Sequence, residues 1–234
     1  MKITIITLFP EMIHQALSWG VVGKAIEKGL IELHTVNPRD FANNRHNTVD
    51  DRPFGGGAGM VMMYDPLERA LQSLNTSAPV TFMSPQGKRL DQRLVNQMAT
   101  RKELILLCGR YEGVDQRFLD KYVDEEVSLG DFVISGGELA AAVLTDAVAR
   151  QIPGVLGDAE SALSDSFMQQ RLGYPQYTRS EKLGRKDVPA VLLSGDHAAI
   201  RAWREAQAEQ ITRAKRPDLL EAGTAPDGET SGHD

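Results

Sequence analysis

Through the first 150 residues, short apolar runs rich in β-branched side chains alternate with stretches of helical period, and few folds accommodate that pattern. Residues 2–9, 30–36, 80–83, 104–107 and 126–128 read as strands. Residues 10–28 (interrupted near Gly20), 65–74, 91–99, 115–122 and 138–150 read as helices. Strands this apolar on both alternating faces suit a parallel sheet covered by helices on both sides. The alternation therefore predicts an α/β domain. Residues 37–60 interrupt it with a long polar, glycine-rich segment, and that much chain without periodicity marks a functional or mobile loop.

After Arg150 the pattern breaks. Residues 158–176 hold neither period and read as a linker, with Phe167, Met168 and Leu172 among its few large apolar anchors before Tyr174. Ordering each residue costs about 1–2 kcal/mol of backbone entropy, so this linker is expected to be mobile in the free protein. A helical domain over 177–221 follows, its main helix capped by Asp196 and running to about Thr212. The tail, 222–234, is rich in Gly, Thr, Pro and acids and is expected to be disordered. No apolar run approaches the roughly 20 residues of a membrane span. Residues 2–9 are too short for a signal peptide and lack its cleavage site. Cys108 is the single cysteine, which suits a reducing cytoplasm. The five histidines show no zinc spacing. The net charge of −6 hides a local reversal: between Gln176 and Leu220 nine Lys/Arg stand against six Asp/Glu. Such clustering can serve a polyanion, or it is simply a solvated helical face.

Two glycine-rich loops follow strand-like runs, Leu107-Cys-Gly-Arg-Tyr-Glu-Gly113 and Ser128-Leu-Gly-Asp-Phe-Val-Ile-Ser-Gly-Gly-Glu138. Either loop alone reads equally well as a turn that needs glycine for its geometry. Together, with Arg110, Glu112, Asp131 and Glu138 embedded in them, they favour a ligand pocket at the strand ends. The phosphate-binding Gly-x-x-x-x-Gly-Lys-Ser/Thr, the dinucleotide Gly-x-Gly-x-x-Gly and the hydrolase Gly-x-Ser-x-Gly are all absent from the sequence.

A wider set of motifs runs in order along the chain: Leu8-Phe-Pro-Glu11, Asn37-Pro-Arg-Asp40, Asp50-Asp-Arg-Pro-Phe-Gly-Gly-Gly-Ala-Gly-Met60, Ser84-Pro-Gln-Gly87, Cys108-Gly-Arg-Tyr-Glu-Gly113, Gly130-Asp-Phe-Val-Ile-Ser-Gly-Gly-Glu-Leu139, Ile152-Pro-Gly-Val-Leu-Gly157, Asp165-Ser-Phe167, Tyr177-Thr-Arg179 and Val191-Leu-Leu-Ser-Gly195. Over residues 1 to about 220 they resemble the bacterial tRNA (guanine-N1)-methyltransferases, the TrmD family of the SPOUT class. The resemblance implies a parallel-sheet SPOUT domain over 1–157 with a C-terminal trefoil knot, then the linker, then a small helical tRNA-binding domain. Chain-connection rules alone would argue against a knot. It further implies S-adenosyl-L-methionine as methyl donor, a Mg²⁺ requirement, and a cytoplasmic homodimer whose active site is shared between chains. The implied reaction methylates N1 of the tRNA guanosine immediately 3′ of the anticodon.

Carried over by position, the cofactor residues are Met83, Ser84, Pro85, Gly87, Gly109, Tyr111, Glu112, Ser128, Gly130, Ile134, Gly136 and Gly137. Ser166, Gln176 and Arg179 fall at substrate positions and Glu112 at a metal position. Ala140, Gln176 and Ser180 depart from the family's usual proline, histidine and proline.

Guanine N1 carries a proton, so methylating it needs a base and leaves charge developing on O6. Asp165 is the candidate base and Arg150 the candidate cation. By residue type alone, Ser164-Asp-Ser166 reads first as turn chemistry, and the resemblance is what favours the base. Arg150 reads equally as a last-turn arginine complementing a helix dipole, and Glu112 as a surface loop acid. Cys108 reads as a small buried hydrophobe, and Trp203, Met60, Met62 and Met63 as packing residues. A methyltransferase acting on ribosomal RNA or a ribose hydroxyl, and a noncatalytic tRNA- or cofactor-binding module, would share the same loops. The linker is expected to order over the cofactor site when tRNA binds.

Overall fold

The computed structural model describes residues 1–157, 165–180 and 183–221. They fall into two compact units, Met1–Ala159 and Glu160–Asp234. Residues 158–164 of the expected linker and the expected tail, 222–234, lie outside the described residues.

The first unit is built on β1 (Lys2–Ile6), β2 (Glu32–Val36), β5 (Val80–Arg89), β6 (Glu103–Cys108) and β7 (Glu125–Ser128). They pair in the order β2-β1-β6-β5-β7, every pair parallel. Alternate side chains enter two separate cores, as the period of a strand requires. Ile3, Ile5, Leu104, Leu106 and Cys108 face one. Ile6, Phe82, Ile105 and Leu107 face the other. The first core is closed by α1 (Pro10–Leu17), α2 (Gly20–Glu27), α4 (Gln92–Ala99) and α6 (Gly137–Ala149). The second is closed by α3 (Tyr64–Gln72) and α5 (Gln116–Tyr122). Among the described residues no helix is long and apolar enough to cross a membrane.

Two elements differ from the sequence reading. The segment 37–60 is not wholly irregular: β3 (Asp50–Asp51) and β4 (Val61–Met62) form a two-residue antiparallel pair that brackets the glycines. Strand β5 runs on to Arg89 rather than ending near Met83. Met83 and Lys88 both pair with Val127, so residues 84–87 bulge out between them. Pro85 and Gly87 hid that continuation, since both residue types are poor in strands.

In the second unit α7 (His197–Lys215) is capped by Asp196, whose carboxylate accepts from the amides of Ala198 and Ala199. A short α8 (Asp218–Glu221) follows. Thr212 is the buried residue of α7. Its hydroxyl donates to the Ala208 carbonyl and accepts from the Leu172 amide, tying residues 165–176 to the helix.

Candidate cofactor cleft and substrate groove

The bulge of β5 and the loops after β6 and β7 lie together at one edge of three neighbouring parallel strands. That edge is where open α/β sheets hold ligands. Between them lies a cleft of about 270 Å³. Met83, Ser84, Pro85, Gly109, Tyr111, Glu112, Ser128, Gly130, Ile134, Gly136 and Gly137 all line it. Gly87 does not. A Cβ there would stand 2.3 Å from the Glu126 carbonyl carbon and 2.4 Å from the Val127 nitrogen, so this glycine lets the bulge of β5 return to β7. Phe132, Val133 and Arg110 also line the cleft and were not among the expected cofactor residues. The signal for Arg110 was present in the sequence, as a charge embedded in a glycine loop.

The cleft is held by close backbone contacts. Gly137 donates its amide to the Gly109 carbonyl, and a Cβ on Gly137 would lie 2.7 Å from Cys108 Cα. The Ser128 hydroxyl accepts from the Gly130 amide and donates to the Gly130 carbonyl. Tyr111 is held at φ +60°, a left-handed conformation unusual for a side chain of its size. Burial, then the neighbouring Asp50 carboxylate, push its phenol upward in pKa. The Glu112 carboxylate lies across Gly59, where an added Cβ would meet Oε1 at 2.3 Å. Burial, and then the Glu138 carboxylate, push the Cys108 thiol well above its ordinary value. A buried thiol of that kind is inert.

Five glycines bring backbone close to the cleft, and Met83, Phe132, Ile134 and Ala140 supply apolar surface for a flat ring. That combination fits a nucleoside-containing cofactor. A resident Mg²⁺ does not fit. Among the described residues no group of three His, Cys, Asp or Glu could hold a metal ion, and Glu112 is the one carboxylate among the cleft's lining residues.

The other expected residues lie elsewhere. Arg150 follows the last turn of α6, and that 13-residue helix is roughly 20 Å long at 1.5 Å per residue. The cleft glycines sit at its opposite end. In the second unit, Asp165 lines a groove of about 510 Å³ with Arg171, Tyr174, His197, Arg201 and Arg204. The Arg204 guanidinium stacks 4.9 Å from the Tyr174 ring centroid. Ser166 accepts from the Gly173 amide at 2.9 Å, closing the loop that carries Asp165. Gln176 and Arg179 line a second groove with Tyr177 and Trp203. Trp203 is thus part of a groove wall rather than only a packing residue, its ring 6.4 Å from that of Tyr177.

Residues 1–222 match the family described as tRNA (Guanine-1)-methyltransferase TrmD. A Shewanella denitrificans protein named tRNA (guanine-N(1)-)-methyltransferase is 52% identical over 235 aligned residues, covering 99% of this chain and 95% of the relative. Proteins of the same name from Vibrio atlanticus and Halorhodospira halophila are 53% and 54% identical. Each covers 94% of this chain, and the alignments span 92% and 84% of those relatives. The chain belongs to the tRNA (guanine-1)-methyltransferase TrmD family.

Proposed function

We infer that this protein is an S-adenosylmethionine-dependent tRNA (guanine-N1)-methyltransferase. The observation that carries this is family membership over nearly the whole chain, joined to a glycine-walled cleft at the strand ends. The finer reading is that it acts in the cytoplasm on the guanosine immediately 3′ of the anticodon. Residues 1–157 bind the cofactor and 177–221 hold the tRNA. The aromatic and arginine side chains of the second unit's grooves support that division, since stacking and guanidinium contacts are how unpaired nucleotides are held.

Bound in the cleft, S-adenosylmethionine supplies the methyl group. Asp165 takes the N1 proton as N1 forms the new N–C bond and the methyl–sulfur bond breaks, its electron pair leaving on sulfur as a neutral thioether, and Arg150 stabilises the charge that develops on O6. The roughly 20 Å of α6 between Arg150 and the cleft glycines supports a site shared across a homodimer, with Arg150 of the partner subunit serving the cleft. Leu139 and Val143, about half exposed on one face of α6, and Trp19, 81% exposed, are apolar surfaces that such an interface would cover. The knotted path is supported by the chain after β7. It leaves the edge strand β7 yet docks at Gly109, the residue after β6, on the far side of β5. Any Mg²⁺ bound through Glu112 would draw its remaining ligands from RNA and water, and no step above runs through it.

Incubation of the purified protein with labelled cofactor and unmodified tRNA, followed by nucleoside mass spectrometry, tests the reading. We expect 1-methylguanosine at the position 3′ of the anticodon. A ribose-methylated product, or cofactor binding without turnover, would overturn it.

A further inference from the structure

Glu138 has no exposed surface, although it stands in the first turn of α6. A buried carboxylate is tolerated only when paired and hydrogen-bonded, and both of its oxygens are engaged. Thr7 Oγ1 donates to Oε1 and Arg110 Nε donates to Oε2, each at 2.7 Å. The guanidinium has further donors to direct. Its Nη1 donates to the Ser135 carbonyl at 3.2 Å, and its plane lies 4.4 Å from the Phe9 ring centroid. Gly136 leaves the space this requires, since a Cβ there would meet Arg110 Nε at 2.3 Å.

One planar fork thus joins the end of β1, the loop after β6 and the cleft wall over 131–136. An ammonium would keep the charge beside the carboxylate but lacks the rigid planar fork that fixes carboxylate and carbonyl relative to one another. The wall has little else to hold it. Phe132, Val133 and Ile134 are 56%, 88% and 36% exposed, so the segment has no core of its own. Without the fork it would spread over several conformations, and apparent affinity falls with the fraction of molecules in the binding-competent one.

We propose that Arg110 is a positioning residue for cofactor binding: anchored on buried Glu138, it holds the 131–136 wall in the shape that accepts S-adenosylmethionine. This rests on the reading of the cleft as the cofactor site.

The test uses the full chain. Arg110→Lys keeps a cation beside Glu138 but gives up the fork. Its melting temperature should stay near the parent's while the Kd for S-adenosylmethionine, by calorimetry, rises about tenfold. KM for the cofactor should rise in step, with kcat at saturating cofactor falling by less. Gly136→Ala, which pushes the same guanidinium aside without removing its charge, should reproduce the loss and keeps the question answerable if Arg110→Lys does not fold. A folded variant binding within about twofold of the parent overturns the proposal, as does a fall in kcat that tracks a lower melting temperature. A parent protein that binds no S-adenosylmethionine overturns the reading of the cleft itself, and this proposal with it.

Discussion

Asp165 and asparagine differ by little in volume, so Asp165→Asn separates proton transfer from folding and from cofactor binding. Loss of a general base costs about 10²–10⁴-fold in rate. We expect Asp165→Asn to lose methyl transfer on that scale in single-turnover assays, with cofactor affinity close to the parent's. Near-normal turnover would mean that the proton leaves by another route. Residue type did not separate this reading from a turn residue. The structure adds company: Asp165 shares a groove with Arg171, Tyr174 and Arg204, and arginine and aromatic side chains are the types on which nucleotides stack.

Among the elements, β5 and the α3–α5 pair make claims that can be checked. Gly87 sits where the bulge of β5 closes on β7, with no room for a Cβ against the Glu126–Val127 backbone. Backbone cannot yield as a side chain can, and forced overpacking costs about 1–3 kcal/mol. Gly87→Ala is expected to lower the free energy of unfolding by that much, read as a lower denaturant midpoint at unchanged m-value, and an unchanged midpoint would show that the bulge adapts. On the opposite face of the sheet, Glu68 on α3 accepts from Tyr122, Tyr64 and Lys121. Those contacts, the Tyr122 hydrogen bond first, hold its carboxyl down to about 2 from the usual 4.5. A depressed folded-state pKa contributes stability that is present above the unfolded value and is lost as pH falls through the folded one. Thermal melts of Glu68→Gln should therefore depend less on pH between about 4.5 and 2 than those of the parent. Equal slopes would remove the argument.

For the whole molecule the property to test is the proposed sharing of the active site between two copies of the chain. A cleft variant, Ile134→Glu, places a charge among the residues that line the cleft, at an exposed position. Mixed with Arg150→Ala by co-expression, it should form heterodimers in which one of the two sites combines an intact cleft with an intact Arg150 from the other chain. Each variant alone should be inactive and the mixture active. A mixture as inactive as its parents would mean that each chain completes its own site. The apolar face of α6 at Leu139 and Val143 is the surface on which such pairing would be built.

The α/β alternation was legible because a strand's two-residue period and a helix's longer one are local properties, and a run such as Leu104-Ile-Leu-Leu107 needs no distant partner to declare itself. Asp196 as a helix cap was legible for the same reason, since the hydrogen bonds it accepts come from residues two and three positions along. The ordered motifs also announced the family. Three things were decided only by tertiary structure. The β5 bulge depends on Val127, a residue 44 positions from Met83 that pairs with it and again with Lys88. The separation of Gly87 from the cleft follows from that bulge, because the same motif that supplies Ser84 and Pro85 to the ligand wall must turn back to rejoin the sheet. The joining of Thr7, Arg110 and Glu138 spans 131 residues of sequence. A buried charge acquires a role only from the partners that the fold brings to it.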